Sequence, residues 1–313
     1  MKTYTVKIYQ ESDYEKWNAF VAQAKNATFL FHRDFMEYHK DRFDDYSLVI
    51  LDGEKWVAIL PANKVGDEVF SHQGLTYGGL VYNEKIVTEV VEVIFNQLLN
   101  FLKENKTHNF VLKLIPEFYQ LRVSNELNYF LFQQNAHLIS RSMNLAIDYS
   151  KPIQISKSKL KHFRRISEIG ITVQEADECT SFWNEILIPR LKEKHNVSPV
   201  HSLEEINALK SNFPKNIKQF NAYFQGEIVA GITLFCSHHV VKSQYGATSS
   251  QGEKVRALDY LFINLINKFS LEYSFFDMGV VNEKDSYNKG LLKQKEELGC
   301  SVYVQDVYKM SVS

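Results

Sequence analysis

The chain has 313 residues, of which 45% are hydrophobic and 23% charged, with a formal net charge of −1. That length suits about two domains, and that balance is ordinary for a folded globular protein. Six prolines and no low-complexity tract exclude long disordered linkers, and the balanced charge excludes the global basic field of a general nucleic-acid binder. Thr3–Tyr9 alternates with period two and predicts a strand. Asp13–Lys25 predicts an amphipathic helix with Ser12 or Asp13 as N-cap, and Asp34–Asp44 a second helix. Strands follow at Tyr46–Leu51, at Trp56–Pro61 and from Glu68 to Ser71, the last closed by Tyr77-Gly78-Gly79. A helix at Ile86–Asn105, a strand at Asn109–Ile115, a helix at Ser124–Asn135 and a closing strand pair at His137–Tyr149 complete this half.

The same order returns. Gly170–Gln174 predicts a strand, and Cys179–His195 and Leu203–Asn212 two helices. Three antiparallel strands then fill Asn221–Ala247, turning at Gln225-Gly226 and at Ser237-His238. A helix at Arg256–Phe269, a strand at Ser274–Val280, a helix at Asp285–Leu298 ended by Gly299, and a strand at Cys300–Met310 follow. Gly53-Glu54 with Val57-Ala58 is echoed by Gly226-Glu227 with Val229-Ala230, and Tyr77-Gly78-Gly79 by Tyr245-Gly246-Ala247. We read one α/β module used twice, over 1–150 and 170–313, around a connecting segment 151–169.

The connector has no counterpart in the first half. Ser156 or Ser158 caps a predicted helix that carries Lys157, Lys159, Lys161, His162, Arg164 and Arg165. Lys157, Lys161, Arg164 and Arg165 fall where several charges share one helix face, a candidate anchor for phosphates. A solvated surface helix is the plain alternative. Asp277, at the end of an apolar strand, is placed to orient an amine or act as a base; a loop-capping role competes. Tyr245, at a strand end, is a candidate donor to an oxyanion, against a half-buried sheet tyrosine. Tyr77 and Gly78 form a chemically similar pair in the first half, where glycine lets backbone approach a ligand closely, although a hairpin turn explains them equally well. Tyr287 and Arg256 are weaker candidates for substrate binding. Cys179, Cys236 and Cys300 have no metal spacing and read as buried thiols in a reducing compartment. No signal-peptide core opens the chain, and no apolar run approaches the roughly 20 residues of a membrane span, which reads as a soluble cytoplasmic protein with no integral membrane segment.

The order strand, two helices, three antiparallel strands, helix, strand, helix, strand resembles that of the GNAT acyltransferase fold. A tandem pair with a basic helix between is similar to the FemAB family of aminoacyl transferases and their acetyltransferase-like relatives. The run from Ser156 to Val173 resembles that family's basic helix leading into G-[IV]-x-V. Phe275-Phe276-Asp277-Met278-Gly279 resembles its strand ending in D-x-G, and Leu291–Gly299 its F-K-x-x-[FW]-G segment. Two positions depart from the pattern. Gln294 stands where the family usually has an aromatic, and Ser249–Ala257 holds Gly252 but not the spacing of the usual pyrophosphate loop.

The resemblance implies an α/β (α+β) fold of two tandem GNAT-like modules, each a mixed, mostly antiparallel sheet flanked by helices. It implies acyl or aminoacyl transfer to an amine of a cell-envelope or surface-polymer precursor, a small-molecule, peptide or glycan partner. The donor is acyl-CoA or aminoacyl-tRNA, with tRNA then a partner, and no metal takes part. Lys295 would stabilise the oxyanion or a donor phosphate, against the alternative of a solvated lysine on a charged helix. Two other readings remain: an acyl-CoA-dependent N-acetyltransferase on a small amine, and an inactive tandem fold that binds a ligand.

Overall fold

The computed structural model describes residues 4–284 and 286–312, with His195 described by its backbone alone. Thr3 and Asp285, each at the start of a predicted element, lie outside the described residues. The chain forms two compact units, Met1–Ser142 with Val304–Ser313, and Met143–Tyr303. The repeat implied a break near 150 and a second half running to 313. By compactness, the C-terminal strand from Val304 onward groups with the first unit.

In the first unit β1 (Thr5–Ile8), β2 (Leu48–Asp52), β3 (Lys55–Leu60) and the short strand Val81–Tyr82 form an antiparallel sheet. Pro61 follows β3 directly; lacking an N–H, it cannot extend the ladder. Beyond it β4 (Asn63–Val65) and β5 (Glu68–Phe70) start a second sheet, and β5 pairs parallel with β6 (Asn109–Lys113). Between β1 and β2 lies α1 (Tyr14–Gln23). One regular helix was expected over Asp34–Asp44, but a single turn at Arg33–Met36 gives way to 3-10 turns at Glu37–Arg42, broken at His39. The long helix α2 (Thr88–Glu104) buries Val91, Ile94, Phe95, Leu98 and Leu102 against Leu48, Ile50, Leu60 and Phe110. Each such side chain removed from water contributes about 1.5–3 kcal/mol. α3 (Glu126–Gln133) packs beside it. Tyr77-Gly78-Gly79 lies in the loop after β5 rather than at a strand end.

β7 (His137–Asp148) is one continuous strand, not the expected pair. In the second unit, its residues 144–148 pair antiparallel with Phe275–Val280. Helix α4 (Lys157–Glu168) comes next, capped by Ser156, whose Oγ accepts from the Lys159 N–H at 3.3 Å. β8 (Thr172–Ala176), β9 (Ile217–Phe224), β10 (Glu227–Ser237) and β11 (Val240–Thr248) follow as antiparallel neighbours. The β9–β10 turn puts Gln225 and Gly226 at φ 54° and 84°, the left-handed pair that two-residue hairpins need. Between β8 and β9 lie a helical stretch with a π turn at Trp183–Leu187, α5 (Ile188–His195) and α6 (Leu203–Asn212). After β11 come α7 (Ser250–Val255) and α8 (Ala257–Phe269), then β12 (Phe275–Val280), α9 (Lys289–Glu297) and β13 (Ser301–Ser311).

β12 pairs parallel with β11 and antiparallel with residues 144–148. α8 buries Leu261, Ile263, Leu265 and Ile266 almost completely and forms the heart of this unit's core. α4 is fixed to α8 by Phe163 stacked on Tyr260 at 4.9 Å and by buried Lys159 paired with Asp259 at 2.6 Å. Each unit therefore has antiparallel strands, then a helix and a strand that returns parallel: β5 with β6, and β11 with β12. Each is closed by an antiparallel strand from a distant part of the chain. Val307–Ser311 closes on β6, and residues 144–148 close on β12.

Candidate functional site

β11 and β12 stay paired only over Val240–Lys242 and Phe275–Asp277. Beyond Lys242, β11 runs on to Thr248 beside β10 alone, with a bulge between Ser243 and Tyr245. Where the parallel strands part, a cavity of about 410 Å³ opens in the second unit. Ser243, Gln244, Gly246, Ala247 and Thr248 of β11 form one wall, and Met278 of β12 lies opposite. Leu258 and Phe262 of α8 supply an apolar floor.

Two helices bring charge to it. Leu187, Arg190, Leu191 and Lys194 line the cavity at the i, i+3, i+4, i+7 spacing of one helix face. The π turn ends at Leu187, two residues before Pro189, which has no N–H to donate and so favours a change of helix register there. Arg190 and Lys194 both pair with Glu253 of α7, Lys194 at 2.5 Å. From α9, Leu291, Gln294 and Lys295 face the cavity, on a helix capped by Asn288, whose Oδ1 accepts from the Leu291 N–H at 2.8 Å. Among the described residues, the charged side chains of the lining are Arg190, Lys194 and Lys295, and no carboxylate joins them.

Lys295 is buried, with 5% exposure, and its Nζ donates to the Gly279 and Val280 carbonyls at 3.0 Å each. Burial pulls its pKa down to about 8, partly opposed by the Asp277 carboxylate. Asp277 does not line the cavity. It lies behind it, 1% exposed, accepting the Gly279 N–H at 2.7 Å through Oδ1 and facing Lys242 Nζ at 3.3 Å through Oδ2. Gly279 has φ 76°, a left-handed turn that favours glycine and aims its carbonyl at Lys295.

The other sequence candidates are dispersed. Tyr245 points away from the cavity: its hydroxyl meets His201 Nδ1 at 2.6 Å, its ring packs edge-on to Trp183, and burial pushes its pKa up to about 12. Lys161, Arg164 and Arg165 are exposed on α4. Arg256, in left-handed backbone between α7 and α8, lies 4.0 Å from Asp259. His162 is held below the usual imidazole value by desolvation, then by Arg256 and Arg165, so these cations share a neighbourhood. Gln294 also reaches Asp259, its Nε2 donating at 3.3 Å. Tyr287 bridges to Asn282 and is half exposed outside the lining. In the first unit Tyr77 is core, its hydroxyl donating to Thr28 Oγ1 at 3.1 Å and its ring against Phe31 and Tyr119. Gly78 is there because a Cβ would collide with the Ser71 carbonyl oxygen. Sequence reasoning missed Arg190 and Lys194, although the helical spacing from Leu187 to Lys194 was present to be read.

Among the described residues, no group of three or more His, Cys, Asp or Glu is placed to hold a metal ion, and no helix is long and apolar enough to cross a membrane. The three cysteines are free and buried.

No family model matches the sequence, and no curated protein matches it significantly. Solved structures do match in shape. FemX superposes with a TM-score of 0.69 at 11% identity, covering 96% of this chain and 96% of that one. L-PGS from Bacillus licheniformis gives 0.61 at 15% identity over 96% and 93% of the two chains. A tandem GNAT protein from the clavulanic acid biosynthesis pathway gives 0.54 at 8% identity over 99% of each. The fold is that of the Fem-type and tandem GNAT proteins, a mixed α/β fold of mostly antiparallel sheets flanked by helices.

Proposed function

We propose that the chain is an acyltransferase of the Fem/GNAT type. It moves an acyl or aminoacyl group from a phosphate-bearing carrier to an amine of a cell-envelope or surface-polymer precursor. The observation that carries this reading is the cavity where β11 and β12 diverge, with three cations, no carboxylate among the described lining residues and an apolar floor. That lining suits a ligand with an acyl body and anionic phosphates. In the reaction the amine nitrogen bonds to the carbonyl carbon, the carrier's C–O or C–S bond breaks, and the amine's proton passes to the departing oxygen or sulfur. Lys295, cationic at neutral pH, stabilises the oxyanion or the carrier phosphate. Asp277 positions Lys295 through Gly279. Lys161, Arg164, Arg165 and Arg256 contact the carrier's outer phosphates.

The turn after β11 supports aminoacyl-tRNA over acyl-CoA as the carrier. There the Gly252 N–H donates to Ser249 Oγ at 3.1 Å and the Glu253 N–H to the Ser249 carbonyl at 2.9 Å. Two of the turn's backbone donors are thus already taken, and Glu253 adds negative charge beside them. Two titrations test the reading. Charged tRNA should bind with strong salt dependence, and acetyl-CoA should stabilise the fold weakly or not at all. Micromolar stabilisation by acetyl-CoA transfers the reading to an acyl-CoA-dependent N-acetyltransferase. Silence from both carriers overturns it in favour of an inactive binding protein.

A further inference from the structure

The first unit holds a second cavity, of about 290 Å³, on the kinked segment that follows α1. Arg33, only 3% exposed, lies in its wall. Its Nε donates to Glu37 at 3.0 Å, its Nη2 pairs with Asp45, and its guanidinium carbon sits 3.9 Å from the centre of the Tyr9 ring. His39 and His72 also line the cavity, both buried, with ring centroids 5.2 Å apart. His72 Nδ1 accepts from the Gly74 N–H at 3.3 Å, which leaves the ring proton on Nε2. Burial, then His39, pushes the His72 pKa down to about 3, so the ring is a neutral donor at physiological pH. The Tyr9 hydroxyl is buried with no hydrogen-bond partner among the described residues.

The sign of charge is opposite to that of the cavity in the second unit. Here Arg33 and Lys40 stand against Glu11, Glu37 and Asp45. Arg33 is already matched by two carboxylates, and it takes only one oxygen of Glu37, whose side chain is 39% exposed. An anionic ligand would meet surplus negative charge. An ammonium group would meet the open Glu37 oxygen, and an adjacent hydroxyl or carbonyl would satisfy Tyr9 and His72. The volume, near the lower end for ligand pockets, suits a single sugar or amino-acid unit.

We propose that this cavity binds a small primary amine of amino-sugar or amino-acid-amide size, with its ammonium on Glu37 and a neighbouring oxygen on the Tyr9 hydroxyl and the His72 N–H. Binding stands on this unit alone. Only the step of naming that amine as the acyl acceptor rests on the function proposed above.

The test is calorimetric titration and thermal unfolding of the full chain, without any acyl donor. The probes are glucosamine against glucose, and L-alaninamide against L-lactamide, pairs that differ by an amine for a hydroxyl. We expect at least one amine to bind and stabilise at millimolar concentration, about tenfold more tightly than its neutral partner. A response to glucosamine alone assigns an amino sugar; a response to L-alaninamide alone assigns an amino-acid unit. Tyr9→Phe should weaken that binding by about tenfold, while the variant melts at or above wild type because the deleted hydroxyl had no partner. Glu37→Gln should erase the preference for the amine. Equal binding of amine and neutral probe, no response to either pair, or unchanged affinity in Tyr9→Phe overturns the proposal. None of these results depends on CoA or tRNA binding, so the two readings fail separately.

Discussion

Asp277 and Lys295 are coupled through one residue: Asp277 Oδ1 accepts the Gly279 N–H at 2.7 Å, and the Gly279 carbonyl accepts Lys295 Nζ at 3.0 Å. The carboxylate therefore holds the turn that holds the cation. Asn at position 277 keeps an acceptor for Gly279 but leaves Lys242 without its buried counter-charge; Ala removes both. We expect Asp277→Ala to lose donor binding together with about 3–5 kcal/mol of stability, and Asp277→Asn to keep most of the binding with a smaller loss. Urea denaturation with tRNA retention measures both. An Asn variant as defective in binding as the Ala variant would refute the positioning role.

Lys295 has a definite pH signature. Its folded pKa, about 8, lies below the ordinary lysine value of 10.5. Between those values the unfolded chain holds more protons, so this residue's contribution to stability rises with pH across that window. Relative to Lys295→Met, wild type should gain on the order of 1–3 kcal/mol between pH 8 and pH 10. Binding that relies on the cation should fall over the same range in wild type and stay flat in the variant. Unfolding curves at several pH values, with parallel binding assays, give the answer.

Glu253 restrains the two cations of α5 that face the cavity. Glu253→Gln should release Arg190 and Lys194 and tighten binding of a phosphorylated carrier several-fold, whereas Lys194→Glu should weaken it by about tenfold or more. Both positions are exposed enough for folding to be spared, and salt-dependent titration reports the change. Weaker binding in Glu253→Gln would count against phosphates as the cavity's ligand.

Helix α4 separates a structural lysine from the exposed ones. Lys159→Ala should cost about 1–3 kcal/mol, because it removes a buried ion pair and leaves Asp259 with only Gln294 and the more distant Arg256. Lys161→Glu with Arg165→Glu should leave the melting temperature unchanged and weaken carrier binding. Unaltered affinity in that double variant would return the exposed side of the helix to plain surface.

Much of this architecture was legible beforehand because its signals are local. The Ser156 cap, the left-handed pair Gln225-Gly226 and the Leu203–Asn212 helix each depend on a few neighbouring residues. Lys295, singled out through the resemblance of its segment, lies in the cavity lining. Tyr245 lies outside the cavity lining for a geometric reason. The β11 bulge shifts the alternation of side chains, so Tyr245 faces Trp183 and His201 while Ser243 faces the cavity. The paired glycine motifs differ too, since Gly78 sits in a loop against Ser71 and Gly246 lies within a strand.

The amino-acid order by itself determined the repeated sequence of elements, the two cores and the basic connector, because hydrophobic period and turn chemistry act over a few residues. Only the tertiary structure decided which strand closes which unit. The edges of β6 and β12 both accept an antiparallel partner, and backbone hydrogen bonds carry no record of which strand will come. It also decided that β11 and β12 part after Lys242, opening a cavity that gathers Arg190 and Lys194 with Lys295, about a hundred residues away in the chain.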